Sequence, residues 1–115
     1  KAALYLASAT TNGTNTAYTS TGEVSGANYS AGGVSVTNAN TAGLTSTTAY
    51  WTPSASIAFT TVTLSTAFDA VMIYSTTDTN RNLGVFTFGS QTITAGTFTL
   101  TMPTNDSSTG LIRFA

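Results

Sequence analysis

The stretch Ile57-Ala58-Phe59-Thr60-Thr61-Val62-Thr63-Leu64-Ser65 decides the fold class. It alternates with period two. Ile57, Phe59, Thr61, Thr63 and Ser65 fall on one face, and Ala58, Thr60, Val62 and Leu64 on the other. Alternation in a β-branched, aromatic run reads as a strand, because branched side chains are stiff at χ1 and pack well on a pleated surface. The next apolar run, Ala70–Tyr74, is nearly continuous, which predicts a central strand buried on both faces.

Shorter signals of the same kind flank these two. Ala3–Ala9 reads as a first strand, with Leu4 and Leu6 on one face and Tyr5 on the other. Thr10–Thr16 is turn-rich and is punctuated by Asn12-Gly13. Glu23–Gly33 reads as a loop carrying Gly26, Gly32 and Gly33, with Tyr29 placed to pin it by packing. Val34–Thr37 is a short strand, Asn38–Gly43 a turn, and Thr48–Thr52 a strand that Pro53 ends or confines to an edge. In the second half, Thr76–Asn82 turns and Leu83–Phe88 follows as a strand. Gly89-Ser90 then makes a tight connection into a hairpin of Gln91–Thr94 and Thr97–Met102 about Ala95-Gly96. Pro103–Gly110 loops, and Leu111–Phe114 is the last strand. No segment holds a convincing helical period against its β-branched content. The expected fold is all-β: one antiparallel β-sandwich domain spanning residues 1–115, or a small barrel or jelly-roll-like variant, of about seven to nine short strands.

Composition bears on function by what it withholds. The 115 residues include no His, no Cys, three Lys and Arg together and four acids, for a net charge of −1. Catalytic bases and nucleophile activators are drawn from those scarce types, so no enzyme is expected and no catalytic residue is assigned. Asp69 and Asp78 flank Ala70–Tyr74 and so stand at opposite ends of a strand, which does not make a glycosidase pair. Asp78 and Asn80 offer oxygen ligands to calcium, but an Asx-turn accounts for that spacing, and no metal or other cofactor is expected. The Thr-x-Thr pairs at Thr61, Thr92 and Thr99 suit solvent-facing strands, and the regular repeat that an ice-binding ladder wants is missing. Lys1 is the sole lysine and a poor candidate for an intramolecular isopeptide.

Three cations make no phosphate-binding stripe, so no nucleic acid is expected. No apolar run has membrane-helix length and no stretch reads as a signal peptide, so no membrane partner is expected. Charged residues make up only 6% of the chain, against about 25% in ordinary soluble domains. A surface hydrated by hydroxyls and amides, or covered by partners, explains that deficit. The candidate interface residues are Tyr29, Tyr50 and Trp51, aromatics outside the cleanly alternating strands, and the two mid-chain cations, Arg81 and Arg113.

Several segments taken in order carry a resemblance. They are Ala2-Ala3-Leu4-Tyr5-Leu6-Ala7-Ser8-Ala9-Thr10, Ala17–Gly26, Tyr29–Val34, Ala70–Tyr74, Asn80-Arg81-Asn82 before Leu83–Gly89, and Leu111–Phe114. The pattern resembles small virion structural proteins of tailed bacteriophages and prophages. That resemblance implies a non-enzymatic protein of the virion, assembled in the host cytoplasm. The leading expectation is a capsid decoration or cement protein that binds the outer head surface, with the major capsid protein or other virion proteins as partners and self-association in the particle. The alternative is a tail, fibre or baseplate β-domain used in host recognition or assembly.

Overall fold

A computed structural model describes residues 1–11 and 13–115; Asn12, of the Asn12-Gly13 turn signal, lies outside the described residues. The chain is all-β and antiparallel, and no helix forms among the described residues. Its strands are β1 (Ala2–Leu6), β2 (Gly43–Thr45), β3 (Thr48–Trp51), β4 (Ile57–Ser75), β5 (Arg81–Leu100) and β6 (Ile112–Phe114). They form two three-stranded sheets, ordered β1-β4-β5 and β2-β3-β6. Contacts gather into two compact units, Lys1–Ser35 with Phe59–Phe98, and Val36–Ala58 with Thr99–Ala115.

In the first unit, the apolar run Ala70–Tyr74 lies in the middle strand and every residue of it is buried, as its composition predicts. β1 pairs with it in the register Ala2↔Ile73, Ala3↔Met72, Leu4↔Val71 and Tyr5↔Ala70. The register then slips, so that Leu6 faces Phe68 and Asp69 is the extra residue. Asp69 therefore sits at a bulge inside β4, not at the strand end expected for it. Ala3, Tyr5, Ala70, Met72 and Tyr74 make one core cluster, with Tyr18 and Val85 packed on it.

The strand count is lower than expected because segments read as separate strands are continuous. Ile57–Ser65 and Ala70–Tyr74 are both parts of β4, and Leu83–Phe88, Gln91–Thr94 and Thr97–Leu100 are all parts of β5. The ribbon bends instead of breaking. Ten residues of straight strand would separate Phe88 from Phe98 by about 33 Å, yet their ring centroids lie 5.1 Å apart. Phe98 also meets Phe68 at 5.1 Å and Phe59 at 6.3 Å. The doubled-back ribbon thus closes on a phenylalanine cluster, and burying large rings there offsets the cost of the bend. Two left-handed residues occur within the strands, Thr61 at φ 52° and Ala95 at φ 47°. Thr61 also resets the expected faces: Val62 and Leu64 are buried together with Ile57 and Phe59, although simple alternation puts them opposite.

Other boundaries move for local reasons. β1 ends at Leu6, where the chain turns through an Ala9 N–H to Leu6 carbonyl bond. The expected Val34–Thr37 strand reduces to one bridge, in which Val34 and Ala2 exchange two hydrogen bonds of 2.9 and 3.0 Å. Gly33 makes that approach possible, since it has φ +69° and a Cβ there would stand 1.8 Å from the Ala2 carbonyl oxygen. β2 has no counterpart in the sequence expectation. The last strand starts at Ile112, because the Leu111 N–H is taken by the Thr52 hydroxyl at 2.9 Å.

Candidate interaction surface

The second unit holds the small sheet. β2 and β3 are joined by the two residues Ser46 and Thr47, and Ser46 adopts φ 55°, the positive value that tight hairpins require at a central position. The pairs are Gly43↔Tyr50, Leu44↔Ala49 and Thr45↔Thr48. On its other side β3 pairs with β6 through Ala49↔Phe114, Tyr50↔Arg113 and Trp51↔Ile112. Directly opposed residues share a face of an antiparallel sheet, and alternate residues along a strand share it too. One face of the sheet therefore carries Leu44, Ala49, Phe114, Trp51 and Ile112, all apolar. The other carries Gly43, Thr45, Thr48, Tyr50 and Arg113.

Leu44 and Phe114 are each 71% exposed, so the two ends of the Leu44–Ala49–Phe114 row are open to solvent. Trp51 is half-buried, and its indole N–H donates to the Asn38 side-chain oxygen at 3.0 Å. On the opposite face the Tyr50 ring covers Gly43, where a Cβ would lie 2.3 Å from it, so the ring supplies the packing that the glycine lacks. Arg113 is exposed, and its guanidinium donates to the Ser108 carbonyl. Asp106 orders that loop by accepting from the Ser108 and Thr109 N–H groups at 2.7 Å each. Those bonds hold its carboxyl below the usual carboxylate range. Buried Thr52 anchors the sheet from below: its hydroxyl accepts from Leu111, and its carbonyl accepts from the Asn40 amide at 3.0 Å.

Of the five residues singled out from sequence, Tyr50, Trp51 and Arg113 meet in this sheet, while Tyr29 and Arg81 belong to the other unit. Arg81 is exposed at the β4–β5 turn and pairs with Asp78 at 2.5 Å. Exposed pairs of that kind contribute about 0.2–1 kcal/mol. Tyr29 is half-buried and works inward. Its ring stacks on Phe59 at 6.0 Å; its hydroxyl accepts from the Leu4 N–H at 3.0 Å and donates to Glu23 at 2.7 Å.

Glu23 is the hub of the loop that Tyr29 pins. Its carboxylate also accepts from the Tyr18 hydroxyl at 2.6 Å and from the Gly32 N–H at 2.8 Å. Tyr74 stacks on Tyr18 at 4.8 Å and donates to the Gly32 carbonyl at 2.7 Å, while Tyr5 donates to Thr19 at 2.6 Å. Burial pushes the Tyr5 hydroxyl up to about 12, and the charge of Glu23 adds to the effect. The hydrogen bond to Glu23 raises Tyr18, and burial followed by that same carboxylate raises Tyr29 and Tyr74. Four tyrosines and one glutamate thus tie the loop to β1 and β4. This is a structural clamp that keeps its polar groups occupied internally.

Leu44 and Phe114 were missed as interface residues by sequence reasoning. The one signal for Leu44 is the spacing of Gly43-Leu44-Thr45 and Thr48-Ala49-Tyr50 around a two-residue link, a hairpin pattern without the usual Asn-Gly or Gly at the turn. No family model matches this chain, and no curated protein or solved structure matches it.

Proposed function

We propose that this protein is a non-enzymatic structural component of a phage virion, a capsid decoration or cement protein that binds the outer head surface and stabilises it by association. The observation that carries the proposal is the apolar row Leu44–Ala49–Phe114, open to solvent at both ends. A solvent-facing leucine and phenylalanine aligned on one sheet face suit a surface that meets a partner. The charge pattern supports the same reading: no charged residue occurs between Arg81 and Asp106. Interface cores are depleted in charge.

The size of the patch sets the mechanism. A three-stranded face of three to four residues per strand covers roughly 150–200 Å² at ordinary strand spacings, against about 800 Å² per partner in a stable complex. One such contact holds weakly. Many copies on a repeating head, each braced by its neighbours, hold firmly through effective concentration. The major capsid protein is the proposed partner, and the virion the proposed location.

Copies per particle test this, counted by quantitative mass spectrometry of purified virions against the major capsid protein. An abundance comparable to the capsid protein is the expected result. A small copy number overturns the decoration role and moves the protein to the tail, fibre or baseplate. Absence from the particle overturns both.

A further inference from the structure

Tyr18 and Tyr74 form the one tyrosine–tyrosine stack among the described residues, with ring centroids 4.8 Å apart and planes 22° from parallel. Their hydrogen bonds fix which ends of the rings meet. Tyr18 donates to one Glu23 oxygen at 2.6 Å, and the other Glu23 oxygen accepts from the Gly32 N–H at 2.8 Å. Tyr74 donates to the carbonyl of that same Gly32 at 2.7 Å. Both hydroxyls converge on Glu23 and Gly32, so the oxygen ends of the stacked rings point the same way. That sets a ring carbon ortho to one hydroxyl beside its counterpart on the other ring.

We propose that Tyr18 and Tyr74 are an oxidative crosslinking site, which a one-electron oxidant (a peroxidase with hydrogen peroxide, or a photo-oxidised metal complex) joins as dityrosine within one chain. Each tyrosine gives one electron to the oxidant and loses its hydroxyl proton. The phenoxyl radical that remains shares its unpaired electron between the oxygen and the ortho carbons. The two radicals combine through one ortho carbon of each ring, forming a carbon–carbon bond. The hydrogen on each joined carbon then moves to the oxygen, which restores both phenols. The net loss is two electrons to the oxidant and two protons to solvent.

Glu23 supplies the base. A phenol gives up an electron more readily when its proton leaves at the same time, and the Tyr18 hydroxyl is already bonded to this carboxylate. Glu23 is only half-buried and passes the proton to solvent. The Tyr74 proton follows, because an oxidised phenol is a strong acid, and the charge of Glu23 reaches that hydroxyl too. The other tyrosines are placed differently. Tyr29 also donates to Glu23, but its ring stacks on Phe59, which forms no phenoxyl radical. Tyr5 donates to the Thr19 carbonyl, and Tyr50 belongs to the other unit. Tyr74 is 4% exposed, so a bond to its ring comes from within the chain. In a chain without cysteine the bond is a covalent brace between the Tyr18 segment and the central strand β4. It closes a long loop in the unfolded chain and should raise Tm by roughly 15 °C. It forms within one molecule and requires no particle.

The test is photo-oxidation of the dilute full chain with tris(bipyridyl)ruthenium and persulfate, followed by cleavage at aspartate. That cleavage separates residues 1–68 from 69–77, and Tyr74 is the one tyrosine in the second piece. The expected product is a monomer with dityrosine fluorescence, in which the two pieces stay joined and are lighter by two hydrogens. Tyr18→Phe keeps the stacked ring and gives up one hydrogen bond, so it stays folded, and the joined product should fall on the order of tenfold or more. In Glu23→Gln no base faces Tyr18, and below its unfolding midpoint the product should form on the order of tenfold more slowly. A join that persists at the parent rate in either variant, or that forms equally well in urea-unfolded chain, overturns the proposal. So does a parent chain that yields only intermolecular dimers, or only oxidised tryptophan and methionine.

Discussion

Replacing Glu23 tests the clamp most directly. The carboxylate accepts three hydrogen bonds, from Tyr18, Tyr29 and Gly32. Hydrogen bonds to a charged group contribute about 1.5–3 kcal/mol each, against about 0.5–1.5 for neutral ones. In Glu23→Gln the amide oxygen must take the position that serves Tyr29 and Gly32, because the Gly32 N–H can only donate. The amide nitrogen then meets the Tyr18 hydroxyl, which has to turn and accept. All three bonds survive in neutral form at a loss of about 1–1.5 kcal/mol each; solvent screening at the half-buried carboxylate returns part of that, so the expected loss is about 2–3 kcal/mol. Glu23→Ala strands three donors at about 1–3 kcal/mol each, and water reaching the half-buried site returns part of that, so about 3–5 kcal/mol is expected. For a chain of this size the glutamine variant should lower Tm by about 6–18 °C. The assay is thermal and chemical unfolding of both variants, with a double-mutant cycle against Tyr18→Phe. A cycle coupling of about 1 kcal/mol or more is expected between residues in direct contact. A glutamine variant within about 0.5 kcal/mol of the parent, with no coupling to Tyr18, would refute the claim that Glu23 organises the loop.

Alkaline pH should act on the same cluster. The folded value of Tyr5, about 12, lies above its ordinary value of 10. The unfolded chain therefore loses this proton first, so the stabilisation is complete below pH 10 and drains away as pH rises toward 12. Tyr5 alone accounts for about 2 kcal/mol by about pH 11.5, and denaturant titrations of the parent and Tyr5→Phe should differ by that slope. Gly33→Ala should destabilise by about 3 kcal/mol or more, since φ is positive and the new methyl would press on the Ala2 backbone; unchanged stability would exclude the close approach. Thr61→Asn should stabilise by about 1 kcal/mol, because asparagine tolerates the left-handed conformation better than a β-branched residue; unfolding midpoints decide it.

Strand content and the centrality of Ala70–Tyr74 were legible in the sequence, because side-chain period and burial on both faces are written directly into residue order. The pinning of the Glu23–Gly33 loop by Tyr29 was legible too, through glycines flanking a single aromatic. Tertiary structure decided the rest. Nothing local distinguishes a strand that ends at Gly89-Ser90 from one that runs on through it and doubles back further along. The outcome depends on Phe59, Phe68, Phe88 and Phe98 meeting across a doubled-back ribbon. Thr61 looks like an ordinary strand residue until pairing forces it to positive φ and moves Val62 and Leu64 to the buried face. The apolar row across β2, β3 and β6 is likewise invisible in one dimension. Leu44 and Phe114 are seventy positions apart in the chain, and only the register of two strand pairings sets them on one face. Periodicity is a property of neighbours along the chain, whereas a bend, a bulge and a shared face are settled by contacts between segments the chain keeps far apart.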